Sequence, residues 1–240
     1  YLINPSILLN YSMKKVLISS LHDVQKLKRL LNGYGFSIVS KNPDFVLVYG
    51  GDGSVLHAER QFPSIPKLLI KRTELCRKCD YTFESLKSIL PRIRAGNFKI
   101  RREMKLEAKF KNKKVTALNE IQLHTKLPIR AVRFSLSANG KEFENLIGDG
   151  VIVSTPFGSS AYYSSAGGKT FTRGIGICFN NLHNKKIKSF VVSDNQKIKI
   201  KITRDNAWLA VDNSEALTSL NPKDAVTIRK SNQATKFIAV

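Results

Sequence analysis

A chain of 240 residues, 42% hydrophobic and 24% charged, is long enough to bury one large core or two of ordinary size. No window approaches the ~20 apolar residues of a membrane-spanning helix, so a helical membrane protein is excluded and a soluble one expected. Forty Lys and Arg against eighteen Asp and Glu leave a formal charge of +22, so the surface attracts anions, nucleic acid included.

Tyr1 to Ser12 is mildly apolar but has neither a basic leading region nor a small-residue cleavage site. It reads as a dispensable extension and not as a signal peptide. Lys15 to Ser19 predicts a strand, and Asp23 to Tyr34 carries Val24, Leu27, Leu30, Leu31 and Tyr34 on one helical face, ended by Gly35. Phe36 to Val39 predicts a second strand. Phe45 to Tyr49 is an apolar run without charge, suited to a central parallel strand covered on both faces. It runs into Gly50-Gly-Asp-Gly-Ser54, where Gly50, Gly51 and Gly53 give the backbone freedom for a tight turn. Ser54 is placed to cap a helix over Val55 to Gln61. A strand at Ile65 to Ile70 and a helix from about Phe83, disturbed by Pro91 and ended by Gly96, complete an alternation that predicts a parallel, Rossmann-like sheet.

After Gly96 the periodicity becomes twofold, which sets a domain boundary there. Phe98 to Phe110 and Val115 to His124 predict a hairpin joined through Asn112. Ala131 to Ser137 continues through an Asn139-Gly140 turn to Phe143, and Lys197 to Thr203, Ala207 to Val211 and Ala225 to Arg229 add strands. A helix is expected after Ser159. Residues 1–96 are thus expected to form an α/β domain and 97–224 a β-rich one. Across that boundary, Arg92 to Lys114 packs ten basic residues against Glu103 and Glu107. Alternation with apolar residues makes it a strand with one solvated face or, in the sharper reading, an anion-binding stripe.

Helix N-termini attract phosphate, so the Gly50 to Ser54 loop suggests phosphoryl transfer. Asp52 repels such a ligand unless it holds a metal, orients a hydroxyl or accepts a proton. Three cysteines cannot all pair, and without a secretion signal they point to a reducing cytoplasm. Cys76-Arg-Lys-Cys79 has the spacing of half a zinc site, which Cys178 and His183 complete only if the fold brings them there. Gly148-Asp-Gly-Val-Ile-Val-Ser-Thr-Pro-Phe-Gly-Ser-Ser-Ala-Tyr162 is richer in glycines and hydroxyls than a core needs. It suits a polar ligand with ribose hydroxyls and a base.

Gly50-Gly-Asp-Gly-Ser54, Leu118-Asn-Glu120, Gly148-Asp-Gly through Tyr162 and Ser165-Ala-Gly-Gly168 closely resemble, in order and spacing, the NAD kinase family, from about Lys14 to the end of the chain. The first loop is shared with lipid and sugar kinases; the later motifs together are specific. The resemblance implies ATP-dependent phosphorylation of the adenosine 2′-hydroxyl of NAD with a divalent metal, Mg²⁺. It also implies that the C-terminal segment, 225–240, returns to the first domain. Carried over by position, Asp52 matches the catalytic aspartate and Gly51 and Gly53 the phosphate-facing glycines. Asn119 and Glu120 match a pair near the ribose and diphosphate of NAD, and Asp149 a carboxylate on the nicotinamide ribose. Ser160, Ala161 and Tyr162 match adenine-side contacts, and Thr155 and Ser165 nearby polar positions.

The chain departs from the family at Leu69 to Cys76, where a Gly-Ile-Asn stretch is usual and Lys71 and Arg72 are the available phosphate contacts. It departs also at Phe157, at Asn180-Asn181 and at Asn213 after Asp212. The alternatives are a lipid or sugar kinase sharing only the first loop, and a basic nucleic-acid-binding module; for the leading reading only weak, nonspecific nucleic-acid binding is expected. The family's members are usually homo-oligomers, and exposed strand edges in the second domain suit such pairing.

Overall fold

The computed structural model describes residues 12–74 and 76–240. The extension expected over the first residues lies outside them except for Ser12. The chain divides into two compact units, one of the residues through Glu103 together with Ala234–Val240, the other of Met104–Gln233. Among the described residues no helix is long and apolar enough to cross a membrane.

The first unit alternates strand and helix: β1 (Lys15–Ser19), α1 (Gln25–Gly33), β2 (Ser37–Ile38), β3 (Phe45–Gly50), α2 (Asp52–Gln61), β4 (Lys67–Lys71) and α3 (Leu86–Arg94). The strands lie parallel in the order β2-β1-β3-β4, and Phe237, near the end of the chain, pairs parallel to Lys67. β3 is central and Phe45 through Val48 are all buried, as a strand covered on both faces requires. Phe45 and Leu47 share a core with Leu27 and Leu31 of α1 and Leu86 and Leu90 of α3. Behind α2 a buried Glu59 side chain forms an ion pair with the buried Lys67 at the start of β4. Lys67 also donates to the carbonyl of Phe62 at 2.6 Å. Charges this deep are tolerated only when paired and hydrogen-bonded, so the pair ties α2 to the start of β4.

Two local expectations change. The helix after β3 begins at Asp52, not at Val55, with Gly51 in the cap position and no side-chain cap. Ser54 instead turns back on Gly50, where an added Cβ would stand 2.2 Å from the Ser54 hydroxyl oxygen. The helix expected from about Phe83 begins at Leu86, with Pro91 inside it and the Ala95 N–H reaching the Pro91 carbonyl at 3.0 Å.

The second unit is built from the strands β5 (Lys99–Phe110), β6 (Lys113–Ala117), β7 (Glu120–Thr125), β8 (Val132–Ala138), β9 (Lys141–Gly148) and β10 (Gly150–Ser154), then a 3₁₀ turn at Gly158–Ser160 and the single-turn α4 (Tyr162–Ser165). These are followed by β11 (Ile175–Asn180), β12 (Phe190–Val192), β13 (Lys197–Arg204), β14 (Ala207–Val211), β15 (Thr218–Leu220) and β16 (Ala225–Ala239). One antiparallel sheet runs β12-β11-β10-β7-β14-β15; in the other, β16, β13, β8 and β9 are neighbours, and β5 pairs with β6 and β16. Phe134, Leu136, Ile200 and Ile228 of one sheet share a core with Ile121, Val151, Val153 and Ile177 of the other, the usual arrangement of two facing sheets.

Here too the structure corrects the reading. The strand expected over Val115 to His124 breaks at Leu118-Asn119, so that β6 pairs with β5 while β7 joins the other sheet. The helix expected after Ser159 is only one 3₁₀ turn and one α turn. The basic strand is not simply solvated on one face, since Lys105 and Glu107 of β5 are both buried. Glu107 is bonded by Arg229 at 3.0 Å and paired with Lys114.

Candidate active site

In the first unit the site is the turn from β3 into α2. Gly50 must lack a side chain because Ser54 fills that space, whereas an added Cβ at Gly51 would meet nothing within 4 Å. Gly51 therefore leaves the mouth of the turn open, and Asp52 and Gly53 form the first residues of α2, at the positive end of its dipole. Asp52 is half-buried. Its Oδ1 accepts the backbone N–H of Lys78 at 3.0 Å, and Cys76 Sγ lies 3.2 Å from the same oxygen. Cys76 and Cys79, expected as thiols of a reducing compartment or as half of a zinc site, are joined to each other in a disulfide. Their Cα atoms, 5.6 Å apart, fall within the ordinary span of such a bond.

Beside this turn a cleft of about 560 Å³ is lined by Asp23, Lys26, Tyr49, Lys71, Arg72 and Glu84, among others. Lys71, one of the two candidate phosphate contacts, is paired with Glu74 at 2.7 Å. Arg72 is exposed, and its backbone N–H donates to the Gly50 carbonyl at 3.1 Å.

In the second unit Asn119, Glu120 and Thr155 gather around the break between β6 and β7, whereas Asp149 stands at the other end of β10, where Gly150 pairs with His124. Asn119 and Glu120 are buried. The Asn119 Oδ1 has no hydrogen-bond partner among the described residues, and a buried acceptor of this kind is costly unless a ligand donor completes it. Thr155 follows β10 and is fully buried. Its N–H donates to the Asn119 carbonyl at 2.9 Å, its hydroxyl donates to the Leu118 carbonyl at 2.6 Å, and that hydroxyl accepts the Gly158 N–H at 2.9 Å. Gly158 lies so close that a Cβ would stand 2.2 Å from the Asn119 carbonyl oxygen. The Thr155 hydroxyl is thus spent on the backbone, and the residue clamps the Leu118-Asn119 segment against the turn that leads to Ser160.

Asp212, which sequence reasoning passed over except as the residue before Asn213, completes that clamp. Its carboxylate accepts three successive backbone N–H groups, from Leu118 at 2.9 Å, Asn119 at 2.8 Å and Glu120 at 3.2 Å. Burial pushes the Asp212 carboxyl above the usual carboxylate range, while these bonds and the nearby Lys105 ammonium pull against it.

Asp149 sits between Gly148 and Gly150, where β9 passes into β10. At Gly150, with φ +146°, a Cβ would stand 1.8 Å from the Leu123 carbonyl oxygen, so only glycine allows this crossing. Asp149 Oδ2 accepts from Asn181 Nδ2 at 3.1 Å, and Asn180 Nδ2 lies 3.4 Å from the Tyr162 hydroxyl. The two asparagines, noticed in the sequence only as departures, therefore hold the two side chains proposed for the nicotinamide ribose and the adenine. Ser160 and Ala161 are half-buried; Tyr162 and Ser165 are exposed. Beneath them the buried Tyr163 ring packs edge-on against Phe171 at 5.5 Å, which anchors the single helical turn carrying Tyr162.

A family model described as the ATP-NAD kinase C-terminal domain matches residues 118–240. The chain is 32% identical over 210 residues to the NAD kinase of Carboxydothermus hydrogenoformans, covering 81% of this chain and 74% of that protein. It is 28% identical over 216 residues to the NAD kinase of Thermoplasma acidophilum, covering 88% and 79%. In fold it is similar to yeast NADH kinase complexed with NADH, with a TM-score of 0.83 at 17% identity over 96% of this chain and 84% of that one. An Archaeoglobus fulgidus NAD kinase in complex with ATP gives a TM-score of 0.79 at 22% identity over 93% and 92%. By the family model and the 32% relative together, this chain is a member of the ATP-NAD kinase family.

Proposed function

We propose that this protein transfers the γ-phosphoryl group of ATP to the 2′-hydroxyl of the adenosine ribose of NAD, giving NADP and ADP. The observation that carries the reading is Asp52 leading α2 beside the open Gly51. That arrangement offers phosphate-attracting amides and a carboxylate in one turn. Asp52 accepts the proton that the 2′-hydroxyl loses as its oxygen bonds to phosphorus, and the Lys78 N–H holds the other side of the carboxylate. Catalysis is otherwise positioning and charge neutralisation, as phosphoryl transfer requires.

NAD is held by the second unit's cluster. Its ribose hydroxyls donate to Asp149, to Glu120 and to the unpartnered Asn119 Oδ1, while the exposed Tyr162 ring covers the adenine beside Ser160 and Ala161, with Ser165 at the edge. Among the described residues no three His, Cys, Asp or Glu side chains stand close enough to cage a metal. A divalent cation, Mg²⁺, is accordingly assigned to the ATP phosphates, whose charge it neutralises when bound.

The test is purified protein with ATP, Mg²⁺ and NAD, with NADP read by an NADP-specific dehydrogenase. No NADP under several metals and phosphoryl donors would sink the assignment. We further assign a cytoplasmic homo-oligomer whose +22 charge gives only weak, salt-sensitive nucleic-acid binding. A light-scattering mass of one chain across a concentration series contradicts the oligomer, and sequence-selective DNA binding at physiological salt contradicts the weak binding.

A further inference from the structure

The Cys76–Cys79 disulfide stands directly on the turn that carries Asp52. Cys76 Sγ lies 3.2 Å from Asp52 Oδ1, the Lys78 N–H between the two cysteines donates to that oxygen at 3.0 Å, and Cys79 Sγ lies 3.7 Å from the Gly50 carbonyl oxygen. One four-residue loop thus touches both ends of the Gly50–Asp52 turn. While the sulfurs are bonded to each other neither carries a proton, so of these two groups at Asp52 Oδ1 only the Lys78 N–H donates.

We propose that Cys76–Cys79 is a thiol–disulfide exchange site, taking a dithiol reductant, through which reduction slows phosphoryl transfer by Asp52. The inference rests on the reading of Asp52 as the base. Cys79 is half-buried while Cys76 is buried, so the reductant's thiolate attacks Cys79 Sγ. The S–S bond breaks and Cys76 leaves as a thiolate that takes a proton. The reductant's second thiol then displaces Cys79, which is likewise protonated. Two electrons and two protons pass to the protein, and the reductant leaves as its own disulfide.

Two consequences act in the same direction. The new Cys76 thiol, in reach of Asp52 Oδ1, becomes a second donor to that oxygen, which stabilises the carboxylate and makes it a weaker base. The loop that presents the Lys78 N–H also loses its cross-link and gains conformational freedom. A hydrogen bond to a charged group is worth enough to change a rate by about tenfold. Cys178 is not involved, since it is buried in the second unit with its Sγ 3.2 Å from the Ala166 carbonyl.

The experiment compares air-oxidised protein with protein treated with dithiothreitol and freed of it, counting thiols by titration in denaturant and measuring NADP formation. Reduction is expected to raise the count by two, lower kcat about tenfold, leave KM for NAD within twofold, and move the acid limb of the pH–kcat profile to lower pH. Reoxidation restores the rate. Cys76→Ser, which keeps a donor and cannot form the disulfide, is expected to be slow and indifferent to dithiothreitol. Cys76→Ala lacks both donor and cross-link and is expected to be indifferent but faster than Cys76→Ser. Equal kcat in two forms whose thiol counts differ by two overturns the proposal, as does a full count of free thiols in the aerated protein. NADP formation in neither form overturns the kinase reading and this inference with it.

Discussion

Asp212 holds Asn119 in place: the carboxylate Oδ1 of the one accepts the backbone N–H of the other at 2.8 Å. The same carboxylate takes the flanking amides of Leu118 and Glu120, and the Asp212 N–H returns a bond to the Glu120 carbonyl at 3.0 Å. A strand break that would otherwise bury three amides without partners is thereby completed. The side chains of Asn119 and Glu120 leave the break in a fixed direction.

Asp212→Asn replaces one acceptor oxygen by a donor facing backbone N–H groups. We expect a loss of about 2 kcal/mol of stability, read from the denaturant midpoint. KM for NAD should rise about tenfold while KM for ATP stays within twofold. A stability loss with both KM values unchanged would make Asp212 a residue of the fold alone.

The two leading glycines of the β3–α2 turn are expected to separate the fold from ligand binding. A Cβ at Gly50 would stand 2.2 Å from Ser54 Oγ and 2.8 Å from Ser54 Cβ, so Gly50→Ala is expected to cost about 2 kcal/mol, as overpacking does. At Gly51 the space is open and φ is −111°, so Gly51→Ala should fold with unchanged stability and instead raise KM for ATP. Thermal unfolding and ATP titrations of the two variants check this; equal behaviour of both would remove the phosphate-facing role from Gly51.

How far the sequence discloses this structure depends on how local each cause is. The Phe45 run and the Asn139-Gly140 turn are set by neighbours in the chain, and β3 and the β8–β9 connection follow them closely, while the glycine loop leads into α2 three residues earlier than expected. The break at Leu118-Asn119 is not local. Its cause is Asp212, more than ninety residues away, and alternation alone carries Val115 straight on to His124. Lys105 and Glu107 look solvated for the same reason, because Arg229, which bonds Glu107, arrives only with the last strand. For the candidate site, the motifs name the residues proposed to face a ligand but not those that hold them. Asn180, Asn181 and the Lys78 amide carry no pattern of their own, and their roles appear only when the chain is folded.

Glu107 gives the fold a defined response to acid. Burial pushes its carboxyl up, but hydrogen bonds and charge from Lys114 and Arg229 outweigh burial, and its pKa lies below the ordinary value. The unfolded chain therefore binds this proton more readily than the native one. The stabilisation is complete above the ordinary carboxylate range, about pH 5, and is lost as pH falls through the lowered native value. Glu107→Gln should cost about 2 kcal/mol at pH 7, with the difference from the parent shrinking as pH falls below about 4. A difference that is the same at pH 7 and pH 3.5 contradicts this.

With Glu120 proposed to face an anionic substrate, it should bind through ribose hydroxyls and not through the phosphates. Glu120→Gln is expected to weaken NAD more than ATP. Isothermal titration with each nucleotide decides the matter, and equal loss for both would make Glu120 a residue of the fold or of the metal.

The last prediction concerns Asp52. The 2′-hydroxyl is a very weak acid, and a carboxylate is a poor base for it in the ground state, so the contribution of Asp52 develops only as the bond to phosphorus forms. Asp52→Asn retains an oxygen to accept the Lys78 N–H that Asp52 Oδ1 accepts at 3.0 Å, so the turn should keep its shape. The amide can still hydrogen-bond the substrate hydroxyl but cannot take its proton. We expect kcat to fall by about 10² to 10⁴, with the dissociation constant for NAD changed by less than about tenfold. If Asp52 instead acted by holding Mg²⁺, raising the metal concentration would restore much of the lost rate. A rescue of that kind moves Asp52 from base to metal ligand, whereas a rate that stays low at every Mg²⁺ concentration leaves proton transfer as its role.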